Sequence, residues 1–357
     1  MKNIQISLLG TIVLLIIIGT GIYLSTITPA KRPLWIYRNK ELVWNSISIS
    51  SDGSYITAGG WDNKVYLFNK SSSTPLWSYD TDDEVKSVRI SSDGSYIAAG
   101  GRKGVFFFSR DNNIPLWYYR IDPIHQSIEQ VVISSDGNYI VAGGSPEDVY
   151  IFSREDNIPL QNYKILGGIG TAAISSDGKY IAAGSWNDNI YLFNRTSSTP
   201  LWSYQTDDLV WSVAISSDGN YIATGSYDDK VYVFNKDSSS PLWSYKTGDD
   251  IRSVDISSNG NYIVAGGRDG KFYMFNRHSS TPIWSQKIVS WIWSVSISSD
   301  GDYLACGADE VYLFSRDDNT PLWSYGAGEI IDAIDISSDG SYLAVAIGYQ
   351  LYLFSRD

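Results

Sequence analysis

The chain has 357 residues, of which 43% are apolar and 18% charged, a globular composition that excludes an intrinsically disordered chain. Its net charge of −12 excludes the cationic surface that a phosphate backbone requires, so nucleic acid is not expected as a partner. One cysteine, Cys306, excludes a disulfide framework or a multi-thiolate metal site, and the two histidines, His125 and His278, lie far apart without ligand spacing.

Behind a short tail, residues 1–3, comes an uncharged apolar run whose centre reads LLGTIVLLIIIGTGIYL, from Leu8 to Leu24. At about 1.5 Å rise per residue, roughly twenty residues cross a ~30 Å hydrocarbon core. The run therefore predicts a transmembrane signal-anchor helix over residues 4–27, followed by a short linker at 28–32. A cleavable signal peptide has a shorter apolar region, about 7–15 residues, although Thr28-Pro29-Ala30 would serve as a cleavage site. The expected location is a cell membrane, single-pass. Lys2 favours a cytoplasmic N-terminus and an extracytoplasmic main domain, while Lys31, Arg32, Arg38 and Lys40 pull the other way. The sequons Asn69-Lys70-Ser71 and Asn194-Arg195-Thr196 are compatible with the outside.

From Pro33 to the C-terminus the chain repeats one unit. The turn SSDG, once SSNG, places its glycine at 53, 94, 137, 178, 219, 260, 301 and 340. A Pro-Leu-Trp marker, or a close variant, begins at 33, 75, 115, 159, 200, 241, 282 and 321. Within one unit, Val210–Ser216 reads as a strand and Ser217-Asp218-Gly219-Asn220 as a hairpin turn. Tyr221–Thr224, Lys230–Asn235 and Pro241–Tyr245 are the next three strands, the last opened by a proline that suits an edge. Four short antiparallel strands per ~40 residues make one propeller blade. The repeats start on a fourth strand, Pro33–Tyr37, and end on a third, Leu351–Phe354. Pairing these two closes an all-β, eight-bladed β-propeller over residues 33–357 and hides both edges.

The run SVAISSDGNYIATGSYDDKVYVF is similar to the repeats of WD-repeat propellers, and VYVFN…PLWSY resembles the quinoprotein-type repeat. No Trp-Asp pair ends the third strand here; Phe68-Asn69-Lys70 and Phe354-Ser355-Arg356 stand in that place. The quinoprotein resemblance implies alcohol oxidation with pyrroloquinoline quinone and calcium. The units nevertheless stay close to 41 residues, without the large insertions and paired cysteines of those enzymes. No cofactor, metal or catalytic residue is assigned.

Positions shared by all units serve the blade: the third-strand Phe, the Tyr opening each second strand, the turn, and the Lys or Arg after Phe-Asn/Ser, read as structural or solubilising charge. Seven of the thirteen tryptophans sit in fourth strands, with Gln161 replacing the eighth. The other six, Trp44, Trp61, Trp186, Trp211, Trp291 and Trp293, fall in or beside the two connections that lie on one face of an antiparallel disc. Four residues before the Ile of each first strand stand Asn45, Lys86, Glu129, Gly170, Trp211, Arg252, Trp293 and Asp332, a ring expected at the channel mouth. The candidate binding face comprises Trp61, Arg102, Trp186, Trp211, Tyr227, Arg252, Arg268 and Trp293, residue types enriched in recognition hot spots. Gly168-Ile169-Gly170-Thr171-Ala172-Ala173 mimics a dinucleotide loop but runs into a strand, and the Asp-rich loops lack calcium-ligand spacing. The expectation is a membrane-tethered, non-catalytic protein-binding or scaffolding module, with a surface glycan as second ligand class and a quinoprotein-like oxidoreductase as third.

Overall fold

The computed structural model describes residues 31–39, 44–121, 126–145, 147–326 and 328–357 with their side chains, and the backbone of Ile4–Leu8, Thr11–Ile18 and Gly21–Ile27. Eight four-stranded antiparallel sheets follow one another around a ring, seven of them built in chain order from the channel outward. Blade 1 runs Trp44–Ile49, Tyr55–Gly60, Lys64–Asn69, Trp77–Asp80; blade 5 runs Val210–Ile215, Tyr221–Ser226, Lys230–Asn235, Trp243–Lys246. Blades 2, 3, 4, 6 and 7 start at Val85, Ile128, Ile169, Ile251 and Ser294. Blade 8 has three strands, Ile331–Ile336, Tyr342–Ile347 and Gln350–Ser355, and takes Trp35–Arg38 as its fourth, in the register Gln350↔Arg38 to Leu353↔Trp35. The closure expected from the repeat count is therefore the closure observed, shifted to start at Trp35.

The blade count is locked by four contacts that the repeat supplies eight times or nearly so. On the turn side, the backbone N–H of the second serine of each SSDG turn donates to the matching carbonyl of the next blade. The chain of bonds runs Ser51→Ser92, Ser92→Ser135 and onward until Ser338→Ser51 returns to its start, each at 2.9–3.2 Å. Beside that ring, the Lys or Arg after each third strand lies over the second-strand Tyr of the preceding blade, from Arg195 over Tyr139 at 3.5 Å to Lys236 over Tyr180 at 6.0 Å. The charges read as structural or solubilising are structural. Farther out, the fourth-strand Trp donates Nε1–H to the backbone carbonyl of that same cation, as in Trp202→Lys236 at 2.8 Å and Trp35→Lys70 at 2.9 Å. In blade 3, where Gln161 stands for Trp, the Tyr163 hydroxyl donates to the Asn194 and Ser197 carbonyls at 2.9 and 2.6 Å. At the channel, first-strand side chains accept from the backbone of the following first strand, as Ser212 does from Val254 at 3.0 Å and Ser253 from Val295 at 3.0 Å.

Between these polar stitches the blades pack dry. Phe68, Phe108, Phe152, Phe193, Phe234, Phe275, Phe314 and Phe354 are all buried, as the repeated third-strand position foretells. Trp44 corrects an expectation. Its sequence position predicts a place among the loop-face tryptophans, but it is 1% exposed and packs edge-on against Tyr37 and Tyr66 at 6.0 and 5.5 Å. Tyr37 arrives with the N-terminal strand, so closure of the ring is what buries the indole.

The helix expected over residues 4–27 is also a correction. The described backbone there forms a separate three-stranded antiparallel sheet, with Ile4↔Leu15 and Ile12↔Ile27 in register. Clustered β-branched residues (Thr11, Ile12, Val13, Ile16, Ile17, Ile18) and the interrupting Gly10, Gly19 and Gly21 favour strands over a continuous helix when no lipid is present. Among the described residues, no helix is long and apolar enough to cross a membrane. The expected tail at residues 1–3 and residues 28–30 of the linker lie outside the described residues.

Candidate functional site: the loop face and channel mouth

Every first strand begins on the face that carries the connections between fourth and first, and second and third, strands. Side chains at the start of the first strands therefore rim the channel, a central cavity of about 750 Å³. The rim divides into two arcs of different chemistry.

Blades 4 to 7 give an aromatic arc. Gly170 starts the blade 4 arc because a Cβ there would stand 2.6 Å from the Trp186 Nε1, so its absence lets the indole lie across the strand. In blade 5, Trp211 stacks on Tyr227 at 4.9 Å with planes 15° apart. In blade 6, the Arg252 guanidinium sits 4.9 Å from Trp211, 4.8 Å from Tyr227 and 5.2 Å from Trp293. Arg268 lies 5.5 Å from Tyr227 and 5.2 Å from Trp291, and pairs with Asp250 at 2.6 Å. Trp291 and Trp293 complete the arc at 5.7 Å from each other. Trp211 and Trp291 remain 42% and 47% exposed, so the cluster is half built and half open to a ligand.

Blades 8, 1, 2 and 3 give a polar arc whose groups satisfy one another. Lys86 pairs with Glu129 at 2.7 Å. Asn45 donates to Glu84 at 3.1 Å, and Arg102 approaches the same carboxylate at 3.7 Å. Asp332 accepts from the Gly348 N–H at 3.2 Å, and burial still pushes its carboxyl up to about 6.

Five of the eight candidate residues (Trp211, Tyr227, Arg252, Arg268 and Trp293) thus form one contiguous cluster, and Trp186 borders the same mouth. Arg102 belongs to the polar arc, and Trp61, 61% exposed on blade 1, touches no aromatic ring among the described residues. Trp291 and Asp250 are members that the candidate set left out. Asp229, Asp249 and Asp250 bring carboxylate oxygens within 4.8 Å of one another, but Asp250 is already held by Arg268.

Deeper in the lumen lies a ring absent from the candidates. Arg89, Asp255 and Asp335 face it together with Ser48 and Ser296, while Val132, Ala173 and Ala214 form the opposite wall. Burial pushes Asp255 up to about 7, opposed by hydrogen bonds from Ile297 N–H at 3.0 Å and Ile256 N–H at 2.8 Å. Asp335 is raised for the same reason while accepting from Ile49 N–H at 2.9 Å. Reading the position one before the first-strand Ile, three residues on from the rim position, would have found this ring. Cys306 packs fully buried in a second strand and burial pushes its thiol up, so it is not a nucleophile. His278 is exposed on the opposite, turn-bearing face, and His125 lies outside the described residues.

An eight-bladed ring of four-stranded blades with one variable, aromatic loop face defines a propeller of the WD-repeat class. Residues 43–317 match the family model described as the IFT122 first beta-propeller, and the chain belongs to that family. The match spans blades 1 to 6 and three strands of blade 7, leaving blade 8 and the closing strand beyond it. No curated protein matches the chain.

Proposed function

We propose that the protein is a non-catalytic docking module whose loop face, centred on the aromatic arc of blades 5 to 7, holds a protein partner. The observation that carries this reading is the contact of half-exposed Trp211 and Trp291 with Tyr227, Trp293 and two arginines around one open mouth. Rigid strands fix the arc and short loops display it, the arrangement in which scaffolds carry recognition. Propellers of this family serve as interaction scaffolds, which supports a protein over a small molecule. The test is a pull-down from native membranes with wild type and Trp211→Ala/Trp291→Ala. Hot-spot truncations cost about 2 kcal/mol or more each, so partners should be lost. Recovery of the same proteins by a normally folded double variant refutes the reading, and retention on a glycan array with loss on Trp substitution would replace the protein by a sugar.

We further propose that residues 4–27 attach the disc to a membrane. An open sheet leaves unpaired edges that hydrocarbon does not satisfy, whereas a helix pairs its backbone internally, so lipid favours a helix for this run. The first described propeller residues support an orientation. Lys31 donates its N–H to Ser324 at 3.1 Å and lies over Trp323 at 5.8 Å, on the side where fourth strands begin, opposite the loop face. Attachment there aims the aromatic arc away from the bilayer. Alkaline carbonate washing of membranes should leave the full chain in the pellet and release a chain starting at residue 31. Release of the full chain ends the proposal.

A further inference from the structure

Among the described residues lining the channel mouth, Arg252 is a cation that makes no hydrogen bond or ion pair. Arg252 is held by three aromatic faces at 4.8–5.2 Å, which fix the plane of its guanidinium, yet its Nε–H is buried without a hydrogen-bond partner. It forms no ion pair with a described residue, whereas its neighbour Arg268 is committed to Asp250 at 2.6 Å, and Lys86 across the mouth to Glu129 at 2.7 Å. A guanidinium carries five N–H donors in a rigid fork suited to a planar two-oxygen acceptor. Leaving the buried Nε–H unused beside an open cavity has a cost that an incoming acceptor removes.

We infer that Arg252 is the receptor for a carboxylate, and that the partner engaged by the loop face presents a Glu or Asp side chain, flanked by apolar residues, into the channel mouth. The carboxylate would pair with the Arg252 fork while its flanking side chains rest on Trp211 and Trp293. Two features favour a carboxylate over a phosphate. Asp249 and Asp250 act on Arg252 against the neighbouring Arg268 charge, and Asp332 lines the same cavity, so the site accommodates one further negative charge better than the nearly double charge of a phosphate. A single free fork also matches a single carboxylate, since the neighbouring Arg268, the second cation a phosphate would recruit, is already taken by Asp250.

The inference rests on the docking reading and fails separately from it. The probe is an array of nine-residue peptides with apolar flanks around a central Glu, each synthesised also with Gln and with phosphoserine, and overlaid with the full chain in detergent. Wild type should retain the Glu peptides at least tenfold better than their Gln twins. Arg252→Gln should abolish that preference, and Arg252→Lys, which keeps the charge and loses the fork, should weaken it severalfold, with unchanged melting showing that both variants fold. Equal retention of Glu and Gln peptides, preference for phosphoserine, or a Glu preference surviving in Arg252→Gln would overturn the carboxylate. If Trp211→Ala/Trp293→Ala then loses Glu and Gln peptides alike, the docking face stands without it. Wild type that holds none of the Glu peptides overturns this inference too, and if the pull-down is also insensitive to the Trp substitutions both readings fall together.

Discussion

At the scale of single residues, two positions show how an inward contact sets the cost of change. Gly219 occupies the SSDG turn at φ +72°, and a Cβ built there would lie 2.5 Å from Tyr180 Cδ2 of the preceding blade. Gly219→Ala therefore meets backbone strain and a ring wedged beneath Lys236, and should lose about 2–3 kcal/mol by thermal melting. Adding Tyr180→Leu should return part of that loss, since the ring is the obstacle; strictly additive losses would show the strain to be backbone alone. Asp255 gives a pH signature. Its folded pKa, about 7, is raised above that of an unfolded carboxylate, so the folded state holds the proton more tightly. Its stabilising contribution is present at low pH and is lost as pH rises through about 7, by an amount on the order of 4 kcal/mol. Asp255→Asn keeps an acceptor for Ile297 N–H and should melt higher than wild type at pH 8, with the gain vanishing at pH 4. A variant that loses the same stability at both values contradicts this assignment.

At the scale of the element, the fourth strand does more than cap a blade. Its tryptophan ties each blade to the next through Nε1–H, at 2.7–3.0 Å in the seven blades that have one. The Gln161 exception locates the lock: Tyr163 packs tilted against Phe193 at 4.3 Å and its hydroxyl reaches the same region of blade 4. Tyr163→Phe should therefore cost about 1 kcal/mol, the usual net value of one hydrogen bond, whereas Tyr204→Phe in a Trp-bearing blade should cost less. Equal losses in denaturant titrations would mean that the hydroxyl is not the substitute. A position repeated seven times and replaced once is visible as a pattern, but the compensating tyrosine two residues away is visible only when its partner blade is beside it.

At the scale of the whole molecule, the eight turn-to-turn hydrogen bonds and the borrowed fourth strand make the ring a closed object, without the free ends of a solenoid. Removing residues 31–38 should expose the third strand of blade 8, uncover Trp44 and Phe68, and lower the melting temperature by many degrees, with aggregation following from the bare edge. Unaltered cooperative melting of that truncation would mean that closure contributes little.

The sequence alone determined the number of blades, their strand order, the closing strand and the face on which variable residues gather. All of these follow from a local period that each unit states for itself. It also placed Trp211, Arg252 and Trp293 at one repeat position 41 residues apart, hence on successive blades at one height. What only the tertiary structure decided was the outcome of contacts between units: that Trp44 is core because Tyr37 closes over it, that Arg102 turns to Glu84 while Arg252 lies unpaired among rings, and that Arg89, Asp255 and Asp335 share one lumen. The apolar run at residues 4–27 shows the same limit from the other side. Its hydropathy suits a helix in lipid, its β-branched residues and glycines suit strands without lipid, and a composition compatible with both leaves the surroundings to choose.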